Sequence, residues 1–458
     1  MKTERLLADV RAGAAVPLRG QLLLIARLSV PTILAQVSSI VMSFIDASMV
    51  GKLGPADSAS IGLVASSTWL VAGLCFAAAM GFTVQVSHLI GAGDDRGARN
   101  LVKIALLATT AHALVLTALC VSVSGALPRF LGRIDTSDEI YENARLYFLV
   151  FSLSVPIIQL NNLAAGLLQA AGEMKFPSAM QILMAALNVI LNFLFIFALG
   201  WGVLGAAVAT AIARGATTLA LAAFLLLRSP VLGLARRGGE KMRLSAKCLS
   251  AALKVGVPVA FEQVIMSGGQ VAFTKIVAPL GKTALAANSF AITAESICYM
   301  PAYGLGAAAT TLCGQSFGAK RHDLAYRLGW LTTLIGIVLM FVMGALLFIF
   351  APEMIGFLSP DAGVRALGTR VLRIESFSET LYGASLVANG ALRGTGDTFV
   401  PTLYKFFSMW LLRLPLALLL GSRFGLEGVW FAMSFELCVR GALFLLRLRG
   451  RGWVRAGR

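Results

Sequence analysis

The chain has 458 residues, of which 58% are hydrophobic and only 13% charged, against about 25% charged in ordinary soluble domains, so a soluble globule is excluded. The net charge of +17 gathers in alternate breaks between apolar runs, a topology signal of membrane proteins rather than a nucleic-acid surface. Six scattered cysteines without a CxxC pair and three dispersed histidines provide no disulfide or metal framework.

Residues 1–22 are mixed and basic (Lys2, Arg5, Arg11, Arg19) and read as a cytoplasmic N-terminus without a cleavable signal. Apolar runs of membrane length follow at 23–49, 57–85, 98–125, 140–168, 177–200 and 203–227. The basic segment 228–248 is the one long internal cytoplasmic linker. Further runs at 249–277, 283–311, 326–351, 364–389, 398–420 and 424–447 lead to a basic cytoplasmic tail, 448–458. The expected fold is an all-α polytopic membrane protein with about twelve transmembrane helices, because helices satisfy their own backbone in lipid. Both termini are expected on the cytoplasmic side.

The two halves repeat one plan. RLSVPTILAQVSSIVMSFIDASMVGKLG (27–54) lies without a gap against KVGVPVAFEQVIMSGGQVAFTKIVAPLG (254–281), pairing Pro31 with Pro258 and Gly54 with Gly281. At the same offset Gly91 meets Gly318. LLQAAGEMKFP (167–177) matches ALRGTGDTFVP (391–401), with Gly172 opposite Gly396, and GVLGAAVAT echoes GLEGVWFAM. Each half holds six spans, so the lobes 23–227 and 249–447 are expected to be pseudo-symmetric about an axis along the membrane normal.

Within the spans, charged and amide side chains are the candidates for chemistry. Asp46, in SFIDASMV, is the clear acid of the first half; on the mildest insertion scale its charge costs about 3 kcal/mol at membrane depth. The second half has Glu262, Glu295, Glu375, Glu379 and Glu436. Glu436 precedes Arg440 by four residues, which suits a helical salt bridge, and Glu375 lies near Arg370 and Arg373. Glu262 and Glu295 have no local partner and, with Glu379, are candidates for a proton relay or substrate contacts. Asn188 and Asn192 share a face of the fifth span. Lys405 and Arg413 sit deep in the eleventh, either paired with a glutamate or lining a cavity. RGTGDT (393–398) contains the Gly-x-Gly-Asp of intramembrane aspartyl proteases, but no second aspartate faces it, and a turn before a proline-opened helix explains it. No G-x-x-x-x-G-K-[ST] occurs, so no ATP-cradling loop is expected. The chain does not read as an enzyme.

Three stretches carry a family resemblance: RLSVPTILAQVSSIVMSFIDASMVGKLG, LVANGALRGTGDTFVP and ALAANSFAITAESICYMPAYGLGAAATTLCGQSFGAKR. They are similar to the first helix, the tenth-to-eleventh turn and the eighth helix of the MATE family, the multidrug and toxic compound extrusion transporters. The resemblance implies a two-lobe antiporter of the bacterial plasma membrane, a monomer that exports organic, often cationic compounds in exchange for Na⁺ or H⁺. It implies no organic cofactor and no nucleic-acid partner. By the same resemblance Asp46 matches the acid of the first-lobe cation site, Asn188 an amide ligand, Thr210 a hydroxyl ligand and Asn162 a fainter amide match. Na⁺ would then lie at Asp46, Asn188 and Thr210. Two positions depart from the family. Asn192 stands where many members carry a second aspartate, leaving one negative charge. Met266 stands where another branch has a glutamate, and Glu262 is the candidate to replace it. A lipid-linked oligosaccharide flippase of the same superfamily is the alternative reading.

Overall fold

The computed structural model describes residues 6–8, 14, 16–132, 139–234, 243 and 245–454. Lys2, Arg5, Arg11, part of the 228–248 linker and the last four tail residues lie outside them. Among the described residues there is no strand, and the helices follow one another through short turns.

In chain order the first lobe supplies α1 (Leu18–Gly51), α2 (Pro55–Gly91), α3 (Asp95–Val123) and α4 (Glu139–Leu153, then Val155–Ala170). It continues with α5 (Lys175–Asn192, extended by the π-helical Phe193–Ala198) and α6 (Gly202–Ala223, extended by Phe224–Arg228). The second supplies α7 (Ala246–Val277), α8 (Lys282–Gly318), α9 (His322–Leu358) and α10 (Ala362–Ser376, then Glu379–Gly394). α11 starts at Phe399–Phe406, passes through the π-helical Phe407–Arg413 and enters Leu414–Arg449. That last helix breaks at Gly425 (φ 61, ψ −142), so its rear part is a separate span, α12.

Among the described residues eight helical runs are long and apolar enough to cross a membrane, and α4, bent by 45° at its break, makes nine. The break at Gly425 divides a 51-residue run into two spans. α8 and α10 complete the twelve. They are less apolar because they carry the interior charges and amides, among them Asn288, Glu295, Glu375 and Glu379, all buried.

The internal repeat is written into the backbone. Left-handed residues recur at matched positions: Gly54 with Gly281 (φ 143 and 103), Gly93 with Lys320 (76 and 58), Gly172 with Gly396 (88 and 88), and Gly202 with Gly425 (54 and 61). The breaks in α4 and α10 fall at Ser154 and Ser378, which the same alignment superposes. A turn needing φ > 0 tolerates few residues besides glycine, so glycine spacing preserves the plan where side chains have diverged.

The chain forms two compact units, Ser38–Ala260 and Met1–Val37 with Phe261–Arg458. Their borders fall inside α1 and α7, not in the 228–248 linker. The contacts explain why. The front of α1 packs on α8, where Thr32 Oγ1 donates to Gly304 O at 2.9 Å and a Cβ on Gly304 would lie 2.7 Å from Ile33 N. The front of α7 packs on α2, where a Cβ on Gly81 would lie 2.3 Å from Ala252 O and Gln85 Nε2 donates to Cys248 O at 3.1 Å.

In the unit Ser38–Ala260 an apolar core of Phe82, Val86, Leu101, Leu163 and Leu167 joins α2, α3 and α4. In the other unit α8 and α10 touch backbone to backbone. A Cβ on Gly390 would sit 2.2 Å from Gly306 O, and one on Gly394 2.4 Å from Thr310 O. Small residues at such crossings drive helix association in lipid, where burial alone supplies little.

Candidate functional site: a polar network around Asp46 and a buried charge cluster

α5 and α6 are joined by a turn through Gly200 and Gly202 (φ 68 and 54), and Gly205 lets α6 lie within 2.9 Å of the Phe195 carbonyl as a Cβ would measure it. This close pairing sets Thr210 of α6 beside Asn188 of α5. The i, i+4 spacing places Asn192 one turn on, where the rear half of α1 brings Asp46. Asn192 Nδ2 donates to Asp46 Oδ1 at 2.6 Å. The Asn188 amide is assigned with its nitrogen toward Asp46, 2.7 Å from Oδ1 and 3.1 Å from Oδ2, while its oxygen accepts from Thr210 Oγ1 at 2.9 Å. The opposite assignment would set its oxygen against the carboxylate. Both asparagines are buried, whereas Asp46 and Thr210 are half-buried.

The network is asymmetric. Both amides donate to the carboxylate, which satisfies an ionised Asp46; a protonated Asp46 is itself a donor and needs an amide oxygen instead. Asn192 Oδ1 is buried without a hydrogen-bond partner among the described residues and is one such acceptor. For a hard cation the set offers a carboxylate, this amide oxygen and the Thr210 hydroxyl. No group of three or more His, Cys, Asp or Glu arranged to hold a metal ion occurs among the described residues.

The Asn162 side chain does not join this network and makes no hydrogen bond among the described residues; its neighbour Asn161 donates to Thr218 Oγ1 at 3.0 Å. Two side chains that a search for deep acids passes over are close by. Arg214 lies one turn beyond Thr210 on α6, and Tyr147 of α4 is within electrostatic range of both Asp46 and Arg214. The sequence signal for Arg214 is plain: an arginine in the middle of the apolar run 203–227.

The second cluster lies in the unit that contains Phe261–Arg458. Glu262 of α7 lacks a partner only within its own stretch of sequence: it is ion-paired with Arg393 Nη2 of α10 at 2.7 Å and with Lys405 Nζ of α11. Glu436 of α12 binds Arg440 Nη2 at 2.6 Å and Arg413 Nη2 at 2.7 Å. Glu375 does not pair with Arg370 or Arg373. Arg370 points outward to Glu427 at 3.0 Å, and Glu375 accepts from the hydroxyls of Ser378 and Ser434, each at 2.7 Å.

Glu295 and Glu379 are different. Glu379 is fully buried with both carboxyl oxygens lacking a hydrogen-bond partner among the described residues, and the Cys298 thiol lies beside it. Glu295 and Glu375 are within electrostatic range of it, and Arg413 within range of Glu295. An edge-to-face contact between Tyr299 and Tyr382, with ring centroids 5.5 Å apart, ties α8 to α10 here.

The MatE family model matches residues 31–194 and 258–419, one match in each half. The chain is 29% identical over 438 residues to "Probable multidrug resistance protein NorM" of Thermotoga maritima, covering 93% of this chain and 92% of that protein. It is 31% identical over 425 residues to the protein of the same name in Pseudomonas aeruginosa, covering 90% and 85%. Among solved structures it is similar to the crystal structure of MATE in complex with MaL6, with 22% identity, a TM-score of 0.90 and coverage of 100% and 99%. An outward-facing conformation of a multidrug resistance MATE family transporter of the MOP superfamily matches with the same identity, TM-score and coverage. The flippase alternative is not favoured by these relatives. The chain belongs to the MatE family of multidrug efflux transporters.

Proposed function

We propose that this protein is a secondary active antiporter that exports organic, often cationic compounds by alternating access, with binding of a coupling ion at Asp46 as the switch. The observation that carries the reading is the Asp46 network, a half-buried carboxylate held by two buried amides from α5, one of which reaches Thr210 of α6. A carboxylate kept at membrane depth on the interior of a bundle is a functional group by default.

H⁺ is the coupling ion of this reading, because Asn192 removes the second acid that would help hold Na⁺. The two amide N–H groups favour the ionised carboxylate in the resting arrangement. Proton binding demands that an amide turn its oxygen toward Asp46, which couples protonation to a rearrangement of α5 against α1. A second proton carrier is assigned to Glu379 with Glu295, since Glu262 is already neutralised by two cations. Asn162 is left without a role. The protein acts as a monomer in a bacterial plasma membrane, with both termini cytoplasmic.

The test is dye movement by purified protein in liposomes. An imposed pH gradient drives efflux in the native protein, and Asp46→Asn abolishes it while thermal unfolding in detergent stays unchanged. Efflux at the native rate in Asp46→Asn removes Asp46 from the mechanism. Movement driven by a Na⁺ gradient at equal pH reassigns the coupling ion.

A further inference from the structure

We infer that Arg214 is a substrate-recognition residue, and that compounds carrying a carboxylate alongside an organic cation bind in preference to compounds that carry the cation alone. The inference rests on the transport reading above and names a substrate class for it.

Arg214 stands near the middle of α6, which runs with its π-helical extension from Gly202 to Arg228 and is apolar enough to span a membrane. Even the mildest insertion scale charges about 2.5–3.5 kcal/mol for an arginine at the centre of a membrane helix. Such residues survive where they pair with an acid, bind backbone carbonyls or face water or a ligand. The Arg214 guanidinium makes no ion pair and no hydrogen bond among the described residues, its backbone carbonyl alone accepting from Thr217 Oγ1 at 3.1 Å; its electrostatic neighbours are the Tyr147 hydroxyl and the Cys75 thiol. The other deep cations of the chain behave differently, for Lys405, Arg393, Arg413 and Arg440 all engage glutamates.

Its direction is fixed by helical spacing. Exposed Ile212 (46%) and Leu219 (70%) mark the outward face of α6. At 100° per residue Arg214 falls on the opposite side, with Thr210, and one turn, about 6 Å, along the helix from it. A lipid headgroup on the outer face of α6 is therefore not its partner. The residue is half-buried, and its guanidinium stays charged at any physiological pH and presents a planar fork that fits a carboxylate.

The same geometry accounts for both ends of the ligand. Asp46 is the fixed negative charge of this unit's polar network and Arg214 the fixed positive one, with Tyr147 within electrostatic range of both. A zwitterion places its cation toward Asp46 and its carboxylate toward Arg214, leaving neither protein charge unpaired. A simple cation competes with the proton for Asp46 but leaves the guanidinium unsatisfied, and an unmade interaction of that kind is a strong basis for rejection.

Rhodamine 110 and its methyl ester, rhodamine 123, differ only in whether the carboxyl is free, and are the probes. The whole protein in liposomes is given each dye under a pH gradient, and binding is read in detergent by dye polarisation. The expected result is at least a tenfold lower Kd for rhodamine 110 in the native protein, a ratio that Arg214→Gln brings to near one and Arg214→Lys largely keeps. Equal affinity for the two dyes in the native protein overturns the inference, whether or not the variants fold. So does a folded Arg214→Gln protein that retains the preference. Transport of rhodamine 123 without a preference leaves the antiporter reading standing and removes only this inference; movement of neither dye overturns both.

Discussion

Buried glutamates of one type do opposite work in this molecule, and their partners decide which. Glu262 is enclosed by Arg393 and Lys405 from two other helices. Its removal takes from two cations at membrane depth the carboxylate they share, a loss of about 3–5 kcal/mol for a buried pair. Glu379 has no ion-pair partner among the described residues and only the weakly donating Cys298 thiol beside it, so replacing it removes a desolvated carboxyl that little stabilises. Glu262→Gln is therefore expected to lower the unfolding temperature in detergent by many degrees, whereas Glu379→Gln leaves it unchanged or raises it. The reverse order in thermal unfolding would show that Glu379, not Glu262, is the structural acid. Sequence inspection does not separate the two, because the partners of Glu262 lie 131 and 143 residues away.

At the scale of the element, what was legible follows how locally each feature is encoded. Span positions come from runs of apolar residues, and the matched left-handed turns at Gly54 and Gly281 or Gly172 and Gly396 follow from aligned glycines. The Asp46 network was legible in part: Asn188 and Asn192 share a face by spacing alone, but their meeting with α1 rests on the family resemblance. The unit borders inside α1 and α7 were not legible, since they arise from backbone contacts such as Gly304 with Ile33 and Gly81 with Ala252. Arg214 is legible as an arginine in the apolar run 203–227, but nothing local in the sequence ties it to Tyr147 of α4. The α8–α10 crossing gives a test of the contact physics. Gly390→Ala forces a methyl to within 2.2 Å of Gly306 O, a backbone atom with no rotamer to escape into. The expected loss is about 1–3 kcal/mol or more. Gly62→Ala in α2 meets nothing within 4 Å and is expected to be neutral or stabilising by roughly 0.5–1 kcal/mol. Chemical or thermal unfolding of the two variants side by side decides it: equal stability would mean that α8 and α10 do not touch at Gly390.

For the whole molecule the deciding quantity is how many charges cross per cycle. Among the described residues, the unit with Phe261–Arg458 buries the carboxyls of Glu262, Glu295, Glu375, Glu379 and Glu436. Against these five stand four cations, Lys405, Arg413 and Arg440, all buried, and Arg393, at 13% exposure. A desolvated interior disfavours net charge, so the excess carboxyl is balanced by one proton or by one monovalent cation. On the proton-antiport reading proposed above, Asp46 in the unit Ser38–Ala260 is a second carrier. Two proton sites exchanging for one monocationic dye move one net positive charge in the direction of the protons. A membrane potential positive on the proton-donating side, set with potassium and valinomycin at fixed pH gradient, is thus expected to accelerate rhodamine 123 movement. Glu379→Gln removes one carrier and makes the exchange one for one, so its rate is expected to ignore the potential while Asp46 still couples it to pH. A native rate that is indifferent to the potential would mean electroneutral exchange, and would assign the buried carboxyls of α8 and α10 to structure.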